Sequence, residues 1–198
     1  MAASVAAPWP APDAWPWRAD DESGSDQTRE LLFVENAGVV LLWPFLVHYF
    51  DRIGLLTGGT FASEDAAARG VMLIHYMAAA TTETEEPQLV LPKLLCGVPF
   101  ETPVNPRIDL TEMEASVSDE LLNVVCQNWP PLRNSSAEAL RETFLLREGS
   151  LSWLEERIWV LNVAAKPYDM LLGQLPWTLS TFKTPLMQHP MMVQWGQP

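Results

Sequence analysis

Apolar positions are densest in residues 33–56, FVENAGVVLLWPFLVHYFDRIGLL, and the remaining chain reads as material arranged around that stretch. Phe33 and Val34 predict the end of a short strand. Glu35-Asn36-Ala37-Gly38 predicts a turn, because asparagine and glycine tolerate positive φ. From Val39 the apolar run is almost unbroken to Leu46. Pro44 interrupts a continuous helix but suits a first helical turn, so a break falls near Trp43 and a helix covers about 44–53, closed by Gly54. Polar Glu35 and Asn36 precede the run, and His48, Asp51 and Arg52 lie at its end. It is therefore shorter than the roughly 20 apolar residues of a membrane span, and the expectation is a core segment with no span.

Residues 57–60 read as a flexible Thr-Gly-Gly-Thr turn. Ser63, followed by Glu64 and Asp65, opens a helix to about Ala80, with Ala67, Val71, Ile74 and His75 at helical spacing. After an acidic linker at 81–86, Pro87 starts a short helix, QLVLPKLLCG, that ends at Gly97; Pro92 leaves open whether it is one helix or two turns. Pro99, Pro103 and Pro106 impose an extended connection. Thr111-Glu112-Met113-Glu114 is a capping box for a helix that carries Val117, Leu121, Val124, Val125 and Trp129 and stops at Pro130-Pro131. Ser135-Ser136-Ala137-Glu138 is a second box, for a helix through Phe144 and Leu145 that ends at Gly149.

Beyond Gly149 the pattern turns extended. Residues 151–153 and 157–163 predict two strands, 179–184 and 191–195 further short ones, while 168–172 fits a helical turn or a strand equally. Helices followed by strands predict an α+β fold: a mainly helical compact domain, then a small antiparallel sheet near the C-terminus. Residues 1–30 differ throughout. Pro8, Pro10, Pro12 and Pro16 alternate with Trp9, Trp15 and Trp17 before a polar, acidic stretch, which predicts a flexible Pro/Trp-rich arm ahead of a single globular domain at 31–198.

Length and composition sharpen this picture. A chain of 198 residues holds one ordinary domain, and with 48% hydrophobic but only 19% charged residues that domain has little charge to spread over its surface. The formal charge is −13, from 25 acidic against 12 basic residues, with no Lys/Arg cluster. Nucleic acid and anionic membrane surfaces both need a basic footprint, so neither is an expected partner. A basic protein partner is allowed, although solubility is the plainer role of the acidity. The cysteines, Cys96 and Cys126, sit in apolar helical contexts and read as buried free thiols of a reducing, cytoplasmic compartment.

Candidate chemistry is sparse. A catalytic thiol would pair Cys96 or Cys126 with His48 or His75, but neither cysteine lies in a nucleophile motif. Histidines and cysteines are scattered singly, without the close pairs of zinc sites, and Gly58-Gly59 lacks the lysine of a phosphate loop. No cofactor and no metal are expected, and the expectation is a protein that is not an enzyme. Candidate partner contacts are the tryptophans Trp9, Trp15 and Trp17 and the acidic helix face of Glu112, Glu114, Asp119 and Glu120.

Five stretches carry a family resemblance: NAGVVLLWPFL at 36–46, LVLPKLLCG at 89–97, NWPPLRNSSAEALRETFLLREG at 128–149, LPWTLSTFKTPLM at 175–187, and the terminal VQW. Together, in this order, they resemble the C-terminal domain of the tape measure proteins of contractile injection systems, the phage-tail-like particles that drive a tube into a target cell. The resemblance covers most of the chain from Phe33 onward. It implies a structural role in the particle, with baseplate hub, spike or inner-tube proteins as partners, and no long ruler region appears among these residues. An anchor at baseplate or inner tube is the resulting expectation; the alternative is a soluble assembly chaperone or adaptor that binds tube subunits or cargo and leaves before the particle matures.

Overall fold

The segment Ala37–Leu42 is a 3-10 helix in which all six residues are buried. It lies where the helices meet the sheet, packed against both the fifth strand and the turn that follows residue 140. A seat that deep requires its backbone polar groups to be met locally. The Ala37 amide donates to the Arg147 carbonyl at 2.8 Å and the Val39 amide to the Asn36 carbonyl at 3.0 Å. Gly38 adopts no positive φ. Its role is the missing side chain, since a Cβ there would fall 1.6 Å from the carbonyl oxygen of Phe144.

The computed structural model describes residues 31–154 and 157–196, and Leu31–Pro198 is one compact unit. The tryptophan-bearing stretch at 1–30 lies outside the described residues. In chain order the elements are β1 (Leu32–Val34), α1 (Trp43–Arg52), β2 (Leu56–Thr57), β3 (Thr60–Phe61), α2 (Glu64–Ala79), α3 (Val90–Cys96), α4 (Glu112–Asn128), α5 (Ala137–Leu140), β4 (Gly149–Leu154), β5 (Ile158–Val163), β6 (Thr181–Phe182) and β7 (Met191–Trp195). The fold is α+β, as expected from the order of patterns.

The sheet departs from the antiparallel expectation. Its order is β1-β4-β5-β7-β6, and β5 pairs with β7 in parallel while the other neighbours are antiparallel. A parallel pair needs a long crossover, which the chain between Val163 and Met191 supplies. Alternation of apolar residues is blind to strand direction. Leu151, Leu161 and Val193 align across three strands and are buried whichever way β7 runs.

Caps behave as their chemistry dictates. The Ser63 hydroxyl accepts from the Ala66 amide, and Thr111 and Glu114 form the reciprocal box at the start of α4. Thr57–Thr60 is a two-residue hairpin turn, with Gly58 at φ 63° and Gly59 at φ 87°. Pro92 leaves α3 whole because it occupies the first turn, where its missing N–H would have had no helical partner. The expected second box is a simple cap instead: Ser136, one residue later than Ser135, accepts from the Ala139 amide, and because the third helical residue is then Ala139, Glu138 is out of register to close a box. Its helix is also short. After Leu140 the backbone widens into a π turn, Arg141–Leu145, closed by the Leu146 amide on the Arg141 carbonyl at 2.9 Å, and Gly149 begins a strand instead of ending a helix. Residues 168–172 resolve as part of a 3-10 helix, Pro167–Gln174.

Aromatic contacts fasten the last third of the chain to α1. Trp43 stacks on Phe182 at 5.0 Å and donates its indole N–H to the Thr178 carbonyl, while Phe45 meets Trp177 edge-on at 5.1 Å. Replacing Gly38 with alanine drives a methyl group into the Phe144 carbonyl, for a destabilisation of about 3 kcal/mol or more. Gly173→Ala, where no atom lies within 4 Å of the added carbon, stays within about 0.5 kcal/mol of wild type. Urea midpoints of the two variants check the contrast.

Candidate functional site

The acidic helix α4 was singled out for its carboxylates, and its geometry sorts them into different kinds. Glu114 points inward. It is buried, takes two hydrogen bonds from the Arg69 guanidinium at 2.5 and 2.7 Å, and accepts from the Thr111 amide and hydroxyl. Burial pushes its pKa up, but the Arg69 and Thr111 bonds together outweigh it and hold the carboxyl at about 2. Helical spacing alone could not show this, because the residue that closes a capping box can also turn toward a neighbouring helix. Glu114 is a fastening between α2 and α4, not a surface contact.

Asp119 and Glu120 are exposed yet engaged: Asp119 accepts from Arg141 at 3.2 Å and Glu120 from Arg52 at 2.7 Å. Glu112 is exposed at the start of the helix and has no ion pair among the described residues. Trp9, Trp15 and Trp17 lie outside the described residues. Of the seven predicted contacts, Glu112 is thus the described one whose carboxylate faces outward without a partner in the fold.

A pair of exposed apolar side chains lies elsewhere. Phe33, in β1 at one end of the sheet order, is 77% exposed, and the adjoining Leu31 is exposed too. Alternation accounts for it. Val34 fills the inner face opposite Gly149, so Phe33 must face outward, opposite Ser150.

Two buried cations escaped the sequence reading. Lys93 is buried in α3, where its ammonium meets the Glu86 carboxylate and donates to the carbonyls of Phe100 at 2.9 Å and Thr102 at 2.8 Å. Arg147 is 1% exposed, pairs with both oxygens of Asp169 at 2.8 and 2.9 Å, donates to the Ala164 carbonyl, and lies over the rings of Tyr168 and Trp195. The available signal was a single cation inside an otherwise apolar window, in VLPKLLC and again in FLLREG. Such a charge is buried where it is paired and hydrogen-bonded, as the Lys93 ammonium and the two terminal nitrogens of Arg147 are; the Arg147 Nε has no hydrogen-bond partner among the described residues.

The thiols and imidazoles do not converge. Cys96 is buried with its thiol pKa pushed well up by desolvation, and Cys126 is buried with its sulfur 3.9 Å from the Ser136 carbonyl. His75 is buried beside the Glu83 backbone without a hydrogen bond of normal geometry, and desolvation lowers its pKa, so it is neutral at pH 7. Among the described residues no group of three or more His, Cys, Asp or Glu side chains could hold a metal ion, and no helix is long and apolar enough to cross a membrane.

Two measurements follow from this geometry. Because Glu114 is held below the ordinary carboxylate value of 4.5, its contribution to stability is complete above that pH and is lost as the pH falls toward 2. Glu114→Gln therefore lowers the urea midpoint at pH 6, and the gap to wild type closes in acid; a gap that stays constant with pH refutes the assignment. Both thiols stay unreactive toward an aromatic disulfide reagent in the native protein and titrate at once in denaturant.

Comparison with known proteins gives the context for these features. Residues 7–195 match the family described as contractile injection system tape measure protein. The match begins well before Phe33, so it takes in most of the Pro/Trp-rich stretch as well as the folded domain. No curated protein and no solved structure matches the chain. The chain belongs to the contractile injection system tape measure protein family, and its role is a structural one within that phage-tail-like assembly.

Proposed function

We propose that this protein is a non-enzymatic anchor that holds a baseplate or inner-tube protein of the injection particle during tube assembly. The observation that carries the reading is one of scale. A measuring element must match the length it measures, yet the longest helix among the described residues, α4, has 17 residues and reaches only about 25 Å. A folded unit of this size has a radius of gyration of about 16 Å. The family role is therefore best met by these residues as a fixed end point.

Contacts in this reading are the tryptophans Trp9, Trp15 and Trp17 together with the outer face of α4 at Glu112. Asp119 and Glu120 lie on the same helix, able to exchange Arg141 and Arg52 for a partner's cations. Glu114 is left out, because removing it would break the α2–α4 fastening first. The acidic balance of the chain favours a partner patch that is basic or neutral.

Co-purification tests the proposal directly. Tagged protein is expected to retain baseplate or inner-tube subunits and to remain in purified particles, and joint replacement of Trp9, Trp15 and Trp17 by alanine is expected to reduce retention at least about tenfold. Normal particles assembled after deletion of the gene would refute an anchoring role. Absence from mature particles, combined with binding to a free tube subunit, would instead establish an assembly chaperone.

A further inference from the structure

The 3-10 helix Pro167–Gln174 is anomalous in three independent ways. It runs for eight residues, whereas 3-10 helices longer than three or four residues are uncommon. None of its residues is buried, and Met170 is 79% exposed. Yet it lies against one of the most deeply buried aromatic pairs in the fold, since Tyr168 meets Phe144 edge-on at 5.8 Å, and Phe144 packs on Trp129 at 4.6 Å. Both Trp129 and Phe144 are fully buried.

Polar contacts hold this cover down where apolar burial does not. Asp169 is the centre of them: it pairs with both terminal nitrogens of Arg147 and also accepts from the Lys166 amide, so one carboxylate caps the helix and latches it. A second point is the indole N–H of Trp129 on the Leu171 carbonyl at 3.1 Å. Arg147 and Phe144 are themselves presented by the π turn and its exit, a second irregular element, of a kind frequent at functional sites.

We propose that Pro167–Gln174 is a detachable strap, which lifts from the folded domain as a unit when Asp169 leaves Arg147 and so uncovers Trp129 and Phe144. The energetics favour local release. Lifting an element without buried residues gives up little apolar burial of its own, and water recovers much of the solvation that Arg147 lost, whereas separating β5 from β7 would open the core. The inference does not depend on the anchoring role proposed above.

Hydroxyl-radical footprinting of the full chain, with Trp159 of β5 as the internal standard, tests it. Trp159 is also buried, on the sheet side of the molecule. Asp169→Asn is expected to raise labelling of Trp129 and Phe144 by about tenfold relative to Trp159, the ratio set by loss of one charge-assisted pair. Trp129→Phe, which removes the indole donor and leaves a smaller ring against Phe144, is expected to raise labelling of Phe144 in the same direction. An equal rise at Trp159 would mean global unfolding and would overturn the proposal, as would unchanged ratios in both variants.

Discussion

Everything in the folded domain depends on one close backbone approach, that of Gly38 to the carbonyl of Phe144. The 3-10 helix Ala37–Leu42 fits between sheet and helices only because a glycine lets the π turn come within what would be bonding distance of a side-chain carbon. Gly149 does the same one step further on. A Cβ there would meet the Asn162 carbonyl at 2.7 Å and the Ala37 side chain at 2.8 Å. Two glycines, far apart in sequence, thus set the spacing of three layers of backbone, and side chains such as Leu41, Leu42, Phe144 and Leu145 fill the volume that results.

Irregular segments in this fold are positioned by buried cations. Lys93 gathers the carbonyls of Phe100 and Thr102 and so anchors the proline-rich connection after α3. Arg147 does the equivalent for the crossover after β5 through Ala164 and Asp169. Neither segment has the periodic apolar face that would fix a helix or strand. A cation whose terminal nitrogens are directed at particular oxygens supplies geometry where hydrophobic burial supplies only adhesion.

Much of this was legible in the sequence, for reasons that differ by element. The Thr111-to-Glu114 box, the Ser63 cap and the end of α3 at Gly97 are local chemistry, decided within four residues, and they stand where the residues placed them. The α+β order followed from a change in apolar period near Gly149. The parallel β5–β7 pair was invisible, because period-two alternation is the same in both directions. The early end of the helix after Ser136 was equally hidden, since the π turn answers to Gly38, more than a hundred positions away in the chain. The inward turn of Glu114 was hidden for a similar reason: its second partner, Arg69, lies on another helix. The tryptophans at 9, 15 and 17 stay where composition put them, as candidates only.

The placement of β7 has a consequence for the order of events during synthesis. It follows every other described strand in the chain, and it enters the sheet between β5 and β6, so that β6 has no other neighbour in the sheet. Until Met191–Trp195 has left the ribosome, β5 is an open edge of apolar residues and the segment around Phe182 has nowhere to pair. A nascent chain would therefore hold its helices ready and its sheet unfinished until this strand emerges, because Met191–Trp195 is the piece that ties β6 to the rest of the sheet.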